Sequence, residues 1–298
     1  MSKFKNKNIL VSYLIVAFNE ERYIQKCLYS LLAQSYSNIE LIFVDDGSED
    51  NTFSIAENLL NSQNRLIFKL VKFDSNKGKV NAFNKAFSYS KGEIITLFGA
   101  DDIVPVMRTE IAINEIINKN IDYLYGSFTK FSNKEDLKIG KLSKIKKGKM
   151  FYTNWMPGGN TFLKRSLALN IFPLPTCINA EDWYMSIKAQ KLGVQPVYIN
   201  ENFTYYRRHE NNDTAIFDIP KYINQLNREI NDLNYFLKEE DSNSKQKHII
   251  LSKKYRYLII QFLNKSNLIS FLKLLFLLFT PLRKYMLLAI KLFIHNKS

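Results

Sequence analysis

Over the first 120 residues, short unbroken apolar runs alternate with stretches whose apolar residues recur every three or four positions. Val11–Ala17 (VSYLIVA), Leu41–Val44 (LIFV), Leu66–Phe73 and Ile94–Phe98 are predicted to be strands. Glu20–Ser35, which sets Ile24, Leu28, Leu31 and Leu32 on one face, is predicted to be a helix. So are Asn51–Leu60, Lys79–Ser90 and Pro105–Asn118, the last with its proline in the first turn, where a missing N–H costs nothing. Strands that are apolar at every position are those buried on both faces. Their alternation with helices therefore implies an α/β fold with a mostly parallel sheet. Ligands of such sheets bind at the carboxyl ends of the strands. Two predicted strands run there into Asp45-Asp46-Gly47-Ser48 and Gly99-Ala100-Asp101-Asp102, so the two acidic doublets are expected to meet at one crevice.

Four carboxylates repel a bare phosphate. They suit a phosphate with a divalent cation between, or a base or ribose that donates hydrogen bonds. Taken singly, Asp45-Asp46-Gly47-Ser48 reads equally well as a turn. Asn76-Lys77-Gly78-Lys79-Val80 lacks the earlier glycine and the hydroxyl residue of a P-loop, and no G-x-G-x-x-G is present. Ordinary nucleotide hydrolases and nicotinamide enzymes are thereby disfavoured, and a metal–nucleotide site built on aspartates remains.

Charge changes the picture at the other end. Of 42 Lys and Arg, eleven lie from Ser242 onward, where none of the 28 Asp and Glu falls; the net charge of +14 thus leaves only +3 on the preceding body. The same tail is greasy, with ten apolar residues in the twelve of Leu268–Phe279. Lys273, Thr280, Lys284 and Lys291 fall on one helical stripe, and Thr280-Pro281 could cap a second helix. A wide apolar face with lysines and no acid fits an anionic membrane surface better than a packed core, and no nucleic-acid motif accompanies it. A second cluster, Lys138, Lys141, Lys144, Lys146, Lys147 and Lys149, could face the same surface. Cys27 and Cys177 make no disulfide framework, and His209, His248 and His295 make no metal cage by spacing. The apolar run near the N-terminus is short and continues into Asn19-Glu20-Glu21, so no signal peptide is expected, and a reduced, cytoplasmic setting follows.

Six segments stand in a familiar order: Ser12–Glu20 (SYLIVAFNE), Phe43–Thr52 (FVDDGSEDNT), Asn76–Ala86 (NKGKVNAFNKA), Gly92–Asp102 (GEIITLFGADD), Gly158–Arg165 (GGNTFLKR) and Glu181–Trp183 (EDW), with Tyr206–Thr214 (YRRHENNDT) beyond them. Over about residues 9–215 the chain resembles family 2 inverting glycosyltransferases of the GT-A fold, of the bacterial surface-polysaccharide type. The resemblance implies a GT-A domain over residues 1–240, with a nucleotide-binding half at about 9–120 and an acceptor half at about 121–240. The amphipathic helical tail of 241–298 is then an appendage.

The resemblance further implies that Ala17, Phe18 and Glu20 wall the nucleoside. Asp46 or Asp45 accepts the uracil N–H, and Gly78, Lys79 and Asn81 start a helix near the nucleotide. Asp101 and Asp102 take Mn²⁺ or Mg²⁺, although Gly99 stands where a first aspartate is common. Asp182 is the implied catalytic base, with Glu181 beside it. Arg207, Arg208 and His209 belong to a mobile loop over the diphosphate, His209 completing the metal shell or touching phosphate. Trp155 with Pro157-Gly158-Gly159 lines the acceptor side. The implied function is transfer of a sugar from a nucleotide donor, UDP-linked, to a lipid-linked glycan at the inner face of the bacterial cytoplasmic membrane. The richness in Lys, Asn and Ile fits an AT-rich bacterial genome and surface-polysaccharide assembly. A metal-dependent nucleotidyl- or phosphotransferase, and a non-catalytic protein docking on membranes or RNA, are the other readings.

Overall fold

The computed structural model describes residues 8–64, 66–132, 158–209 and 219–238. The chain divides into two compact units, one of Met1–Thr176 with Glu181–Arg208, the other of Cys177–Ala180 with His209–Ser298. The division drawn from sequence at residue 240 falls inside the second unit. The basic tail, the lysine cluster of 138–149, Trp155, Pro157 and residues 210–214 lie outside the described residues.

The first unit opens with β1 (Val11–Ala17), α1 (Ile24–Leu32), β2 (Ile39–Asp45), α2 (Thr52–Asn61), β3 (Ile67–Lys72), α3 (Lys79–Tyr89), β4 (Ile94–Gly99) and α4 (Arg108–Lys119). It continues with β5 (Tyr123–Ser132), β6 (Thr161–Lys164), α5 (Arg165–Ile171), α6 (Glu181–Lys191) and β7 (Val197–Arg208). The strands form one sheet in the order β3-β2-β1-β4-β6-β5-β7. β1 pairs in parallel with β2 and β4, β2 with β3, and β5 with β7. Only β6 runs against its neighbours β4 and β5.

The unbroken apolar runs are explained by burial on two sides. Val11, Tyr13, Ile15 and Ala17 of β1 share a core with Ile24, Leu28 and Leu31 of α1, Ala56 and Leu60 of α2, and Ala112, Ile113 and Ile116 of α4. The other face of β1 and β2 is covered by α3, whose Val80, Phe83 and Ala86 are buried. Each large apolar side chain buried in this way contributes roughly 1.5–3 kcal/mol. β3 and β7 are the edge strands, and there apolar residues such as Ile67 and Val197 stand exposed. Lys69 and Lys72 lie over the rings of Tyr89 and Phe53, charges that discourage pairing with another chain.

Two helices start later than their periodicity suggests. Residues after Asn19, itself at φ 56, form a turn in which the N–H of Ile24 bonds the carbonyl of Glu20 before α1 begins. α4 starts at Arg108, after a turn at Pro105. In the second unit, Asp232 of α7 (Ile219–Lys238) is buried and accepts the backbone N–H groups of Asn179 and Ala180 at 2.8 and 2.9 Å and the Asn179 Nδ2 at 3.0 Å. Among the described residues no helix is long and apolar enough to cross a membrane.

Candidate active site

β2 and β4 flank β1, so both acidic doublets emerge at the same end of the sheet on either side of Ala17. The loop after β1 is laced to the loop after β2. The N–H groups of Asn19, Glu20 and Glu21 donate to Ser48 Oγ, Thr52 Oγ1 and Asp50, while those of Glu49 and Asn51 donate back to Asn19 and Glu21. Phe18 is left 41% exposed beside Ala17, an aromatic surface at the strand end.

The two aspartates of the first doublet are not equivalent. Asp46 Oδ1 accepts the Lys77 N–H at 2.8 Å. Burial raises its pKa, and the amides of Lys77 and Gly78 oppose that. Asp45 Oδ1 accepts the Ser48 N–H, but its buried Oδ2 has no hydrogen-bond partner among the described residues. Gly47, at φ 77, lets the next loop lie directly on this turn: a Cβ there would stand 2.4 Å from the Ser75 carbonyl carbon. That loop ends at Gly78, and Lys79 opens α3 with its ammonium 3.0 Å from Glu181. Asn81 spends its Nδ2 on the carbonyl of Lys77.

At β4 a glycine stands where the resemblance has an aspartate. A Cβ on Gly99 would lie 2.8 Å from Asp101 Oδ1. A carboxylate oxygen of Asp101 and one of Glu20 stand within 4.8 Å of each other. Burial and the charges of Asp101 and Asp50 push the Glu20 pKa up to about 8, against the pull of Arg207. Asp102, also buried, is raised well above the usual carboxylate range by burial and by Asp101. Arg207 clasps the doublet: its N–H bonds Asp102 Oδ1 at 2.8 Å and its Nε bonds the Asp101 carbonyl at 2.7 Å. The guanidinium sits 4.7 Å from the Tyr23 ring centre and 4.5 Å from that of Phe131. Ile103 and Tyr205 exchange backbone hydrogen bonds just behind.

The sequence reading set Arg207 and Arg208 on a mobile loop, and the structure corrects it. They are the last residues of β7, paired with Phe131 and Ser132 of β5. His209, buried, is the first residue of the second unit. Glu181 opens α6, and Asp182 follows, its Oδ1 accepting the N–H of the buried Trp183. The Tyr123 phenol, pushed up by burial, is raised further by the Asp182 charge.

The clustering of Glu20 with Asp101 was not legible as a metal feature in sequence, because 81 positions separate them and the resemblance gave Glu20 to the nucleoside. Oxygen-only donors are those a hard divalent cation prefers. The crowding that raises Glu20 is a strain such a cation relieves, so the carboxylates of Glu20 and Asp101 fit Mg²⁺ or Mn²⁺.

Residues 12–178 match the model of glycosyl transferase family 2, more than half of the chain, and the chain belongs to that family. Of the three functions left open by sequence, membership selects the glycosyltransferase. The glycosyltransferase GlyG of Streptococcus pneumoniae serotype 4 is 31% identical over 126 residues, 42% of this chain and 41% of GlyG. An Escherichia coli protein, the UDP-Glc:alpha-D-GlcNAc-diphosphoundecaprenol beta-1,3-glucosyltransferase WfgD, is 32% identical over 186 residues, 61% of this chain and 70% of WfgD. The match therefore spans less than half of GlyG. The mannosyltransferase PcManGT of Pyrobaculum calidifontis, solved with GDP-Man and Mn²⁺, superposes with a TM-score of 0.63 at 16% identity over 97% of this chain and 88% of its own. The fold is GT-A: a mostly parallel seven-stranded sheet flanked by helices.

Proposed function

We propose that this chain is an inverting glycosyltransferase that moves a sugar from a UDP-linked donor to a hydroxyl of a lipid-linked saccharide during bacterial surface-polysaccharide assembly, such as O-antigen, capsule or lipopolysaccharide. The observation that carries the reading is the approach of the Glu20 and Asp101 carboxylates at the ligand end of the sheet, where Arg207 bonds Asp102 Oδ1 and the Asp101 carbonyl. WfgD, by name a UDP-glucose enzyme acting on a diphosphoundecaprenol-linked sugar, supports the donor and acceptor classes.

Phe18 offers a stacking surface for the base. Asp46, or its neighbour Asp45 at the end of β2, accepts the uracil N–H. Asp101 and Asp102, with Glu20, would hold Mn²⁺ or Mg²⁺, which would neutralise charge on the leaving diphosphate. Asp182 takes the proton of the acceptor hydroxyl as its oxygen bonds the anomeric carbon, and the diphosphate leaves with the electron pair of the broken bond. Attack from the face opposite the diphosphate inverts that centre. The catalytic domain extends to residue 240, and the basic tail of 241–298 rests on the anionic inner face of the cytoplasmic membrane.

A donor screen tests this: purified full-length chain, Mn²⁺, a panel of nucleotide sugars, and undecaprenyl-diphosphate-linked GlcNAc. UDP release that depends on acceptor, with one donor preferred, is expected. Release from no UDP-sugar in the panel overturns it.

A further inference from the structure

The sequence around the start of α6 carries no cap of its own. The residue before the helix is Ala180, which has no side-chain oxygen to receive the unpaired amides of a first turn. Trp183 stands where a Glu or Gln could reach back to the amide ahead of the helix. The acceptor comes instead from Asp232, 52 positions beyond Ala180, whose Oδ2 accepts the Ala180 N–H at 2.9 Å. Its Oδ1 accepts the Asn179 N–H at 2.8 Å and the Asn179 Nδ2 at 3.0 Å. Asp232 is buried, and a carboxylate out of water must be hydrogen-bonded; N–H donors from two consecutive residues meet that need.

These bonds lie within the second unit. The chain itself carries their effect onward, since Glu181 and Asp182 follow Ala180 directly. The residues on either side of Asp182 are fixed as well: Glu181 meets the Lys79 ammonium at 3.0 Å, and Trp183 is buried. Asp182 Oδ1 accepts the Trp183 N–H at 2.8 Å, so its carboxylate is oriented by the path of the backbone at the helix start. That path begins at the two residues that Asp232 holds.

We propose that Asp232 is a positioning residue for transfer: by fixing Asn179 and Ala180 it sets where α6 starts, and hence where Asp182 presents its carboxylate to the acceptor hydroxyl. The inference rests on the reading of Asp182 as base. It gives a helix of the second unit control over the rate of transfer and none over donor affinity. A scaffold residue differs in both respects: its loss lowers affinity along with rate, and it costs the same whether or not the base is present.

The test compares full-length wild type, Asp232→Asn, Asn179→Ala, Asp182→Asn and the double variant of Asp182→Asn with Asp232→Asn. Circular dichroism follows the fold, calorimetry the affinity for UDP, and acceptor-dependent UDP release from the panel of UDP-sugars the rate. Asp232→Asn sets an amide N–H against a backbone N–H. It is expected to lower kcat by about 10- to 100-fold, with KM for donor and UDP affinity within about twofold of wild type. Asn179→Ala deletes only the side-chain bond and should lower kcat by about two- to fivefold. In the Asp182→Asn background, Asp232→Asn should cost less than about threefold, because the group it positions is gone. A wild-type kcat in folded Asp232→Asn overturns the inference, as does an equal loss in both backgrounds or a matching loss of UDP affinity. Failure of both Asp232→Asn and Asn179→Ala to fold overturns it too, since the contact is then scaffold. Transfer undiminished by Asp182→Asn removes the base reading beneath it, an outcome distinct from the others.

Discussion

Asp182 and Glu20 carry the sharpest tests at the level of single residues. Asp182→Asn keeps the shape of α6 and its first-turn hydrogen bond but removes the carboxylate proposed as base. Transfer is expected to fall by about 10²–10⁴-fold while donor affinity stays within error, measured by initial rates and by calorimetry with UDP. Asp102→Asn should weaken both, because Asp102 also anchors the N–H of Arg207. Glu20 governs a pH dependence. Its folded pKa of about 8 stands above its ordinary 4.5, so the folded state holds the extra proton. Its contribution is complete below about 4.5 and is lost as pH climbs through 8. Melting temperatures of the metal-free chain should fall between pH 5 and 8.5, and Glu20→Gln should flatten that fall. Parallel curves for the two proteins would refute the assignment.

The joint between the loops after β2 and β3 is the test at the level of elements. Gly47→Ala places a methyl group against the Ser75 carbonyl carbon in a left-handed conformation. It should cost about 1–3 kcal/mol or more in denaturant unfolding and weaken UDP binding, because the turn bearing Asp45 and Asp46 must shift. How much of this was legible follows from the same elements. β1, β2 and β4 announce themselves because both faces are buried, so most positions are apolar, and the doublets that follow β2 and β4 mark the ligand side. β5, β6 and β7 do not. Tyr123–Ser132 mixes polar residues into its run, β6 is four residues long, and Val197–Arg208 begins with exposed and polar positions. Tyr206-Arg207-Arg208 therefore reads as loop when its neighbour in the sheet is unknown. Long-range pairing with Phe131, which no local pattern encodes, makes it strand. The inequality of Asp45 and Asp46 was hidden for a like reason, since it depends on an amide 31 positions away from Asp46.

For the molecule as a whole, the imbalance of charge sets the expectation. Eleven basic and no acidic residues from Ser242 to Ser298 leave the preceding body almost neutral. Removing residues 245–298 is expected to shift the protein from the membrane pellet to the supernatant of lysed cells, and high salt should release part of the full-length chain. Equal distribution of both forms would refute the membrane role of the tail.

The clasp on Asp101 and Asp102 comes from a strand made about a hundred residues later in synthesis. A ribosome that has reached residue 190 has already produced both acidic doublets and most of the sheet, but not the arginine that bonds the second doublet, so these two hydrogen bonds are among the last of the sheet to form.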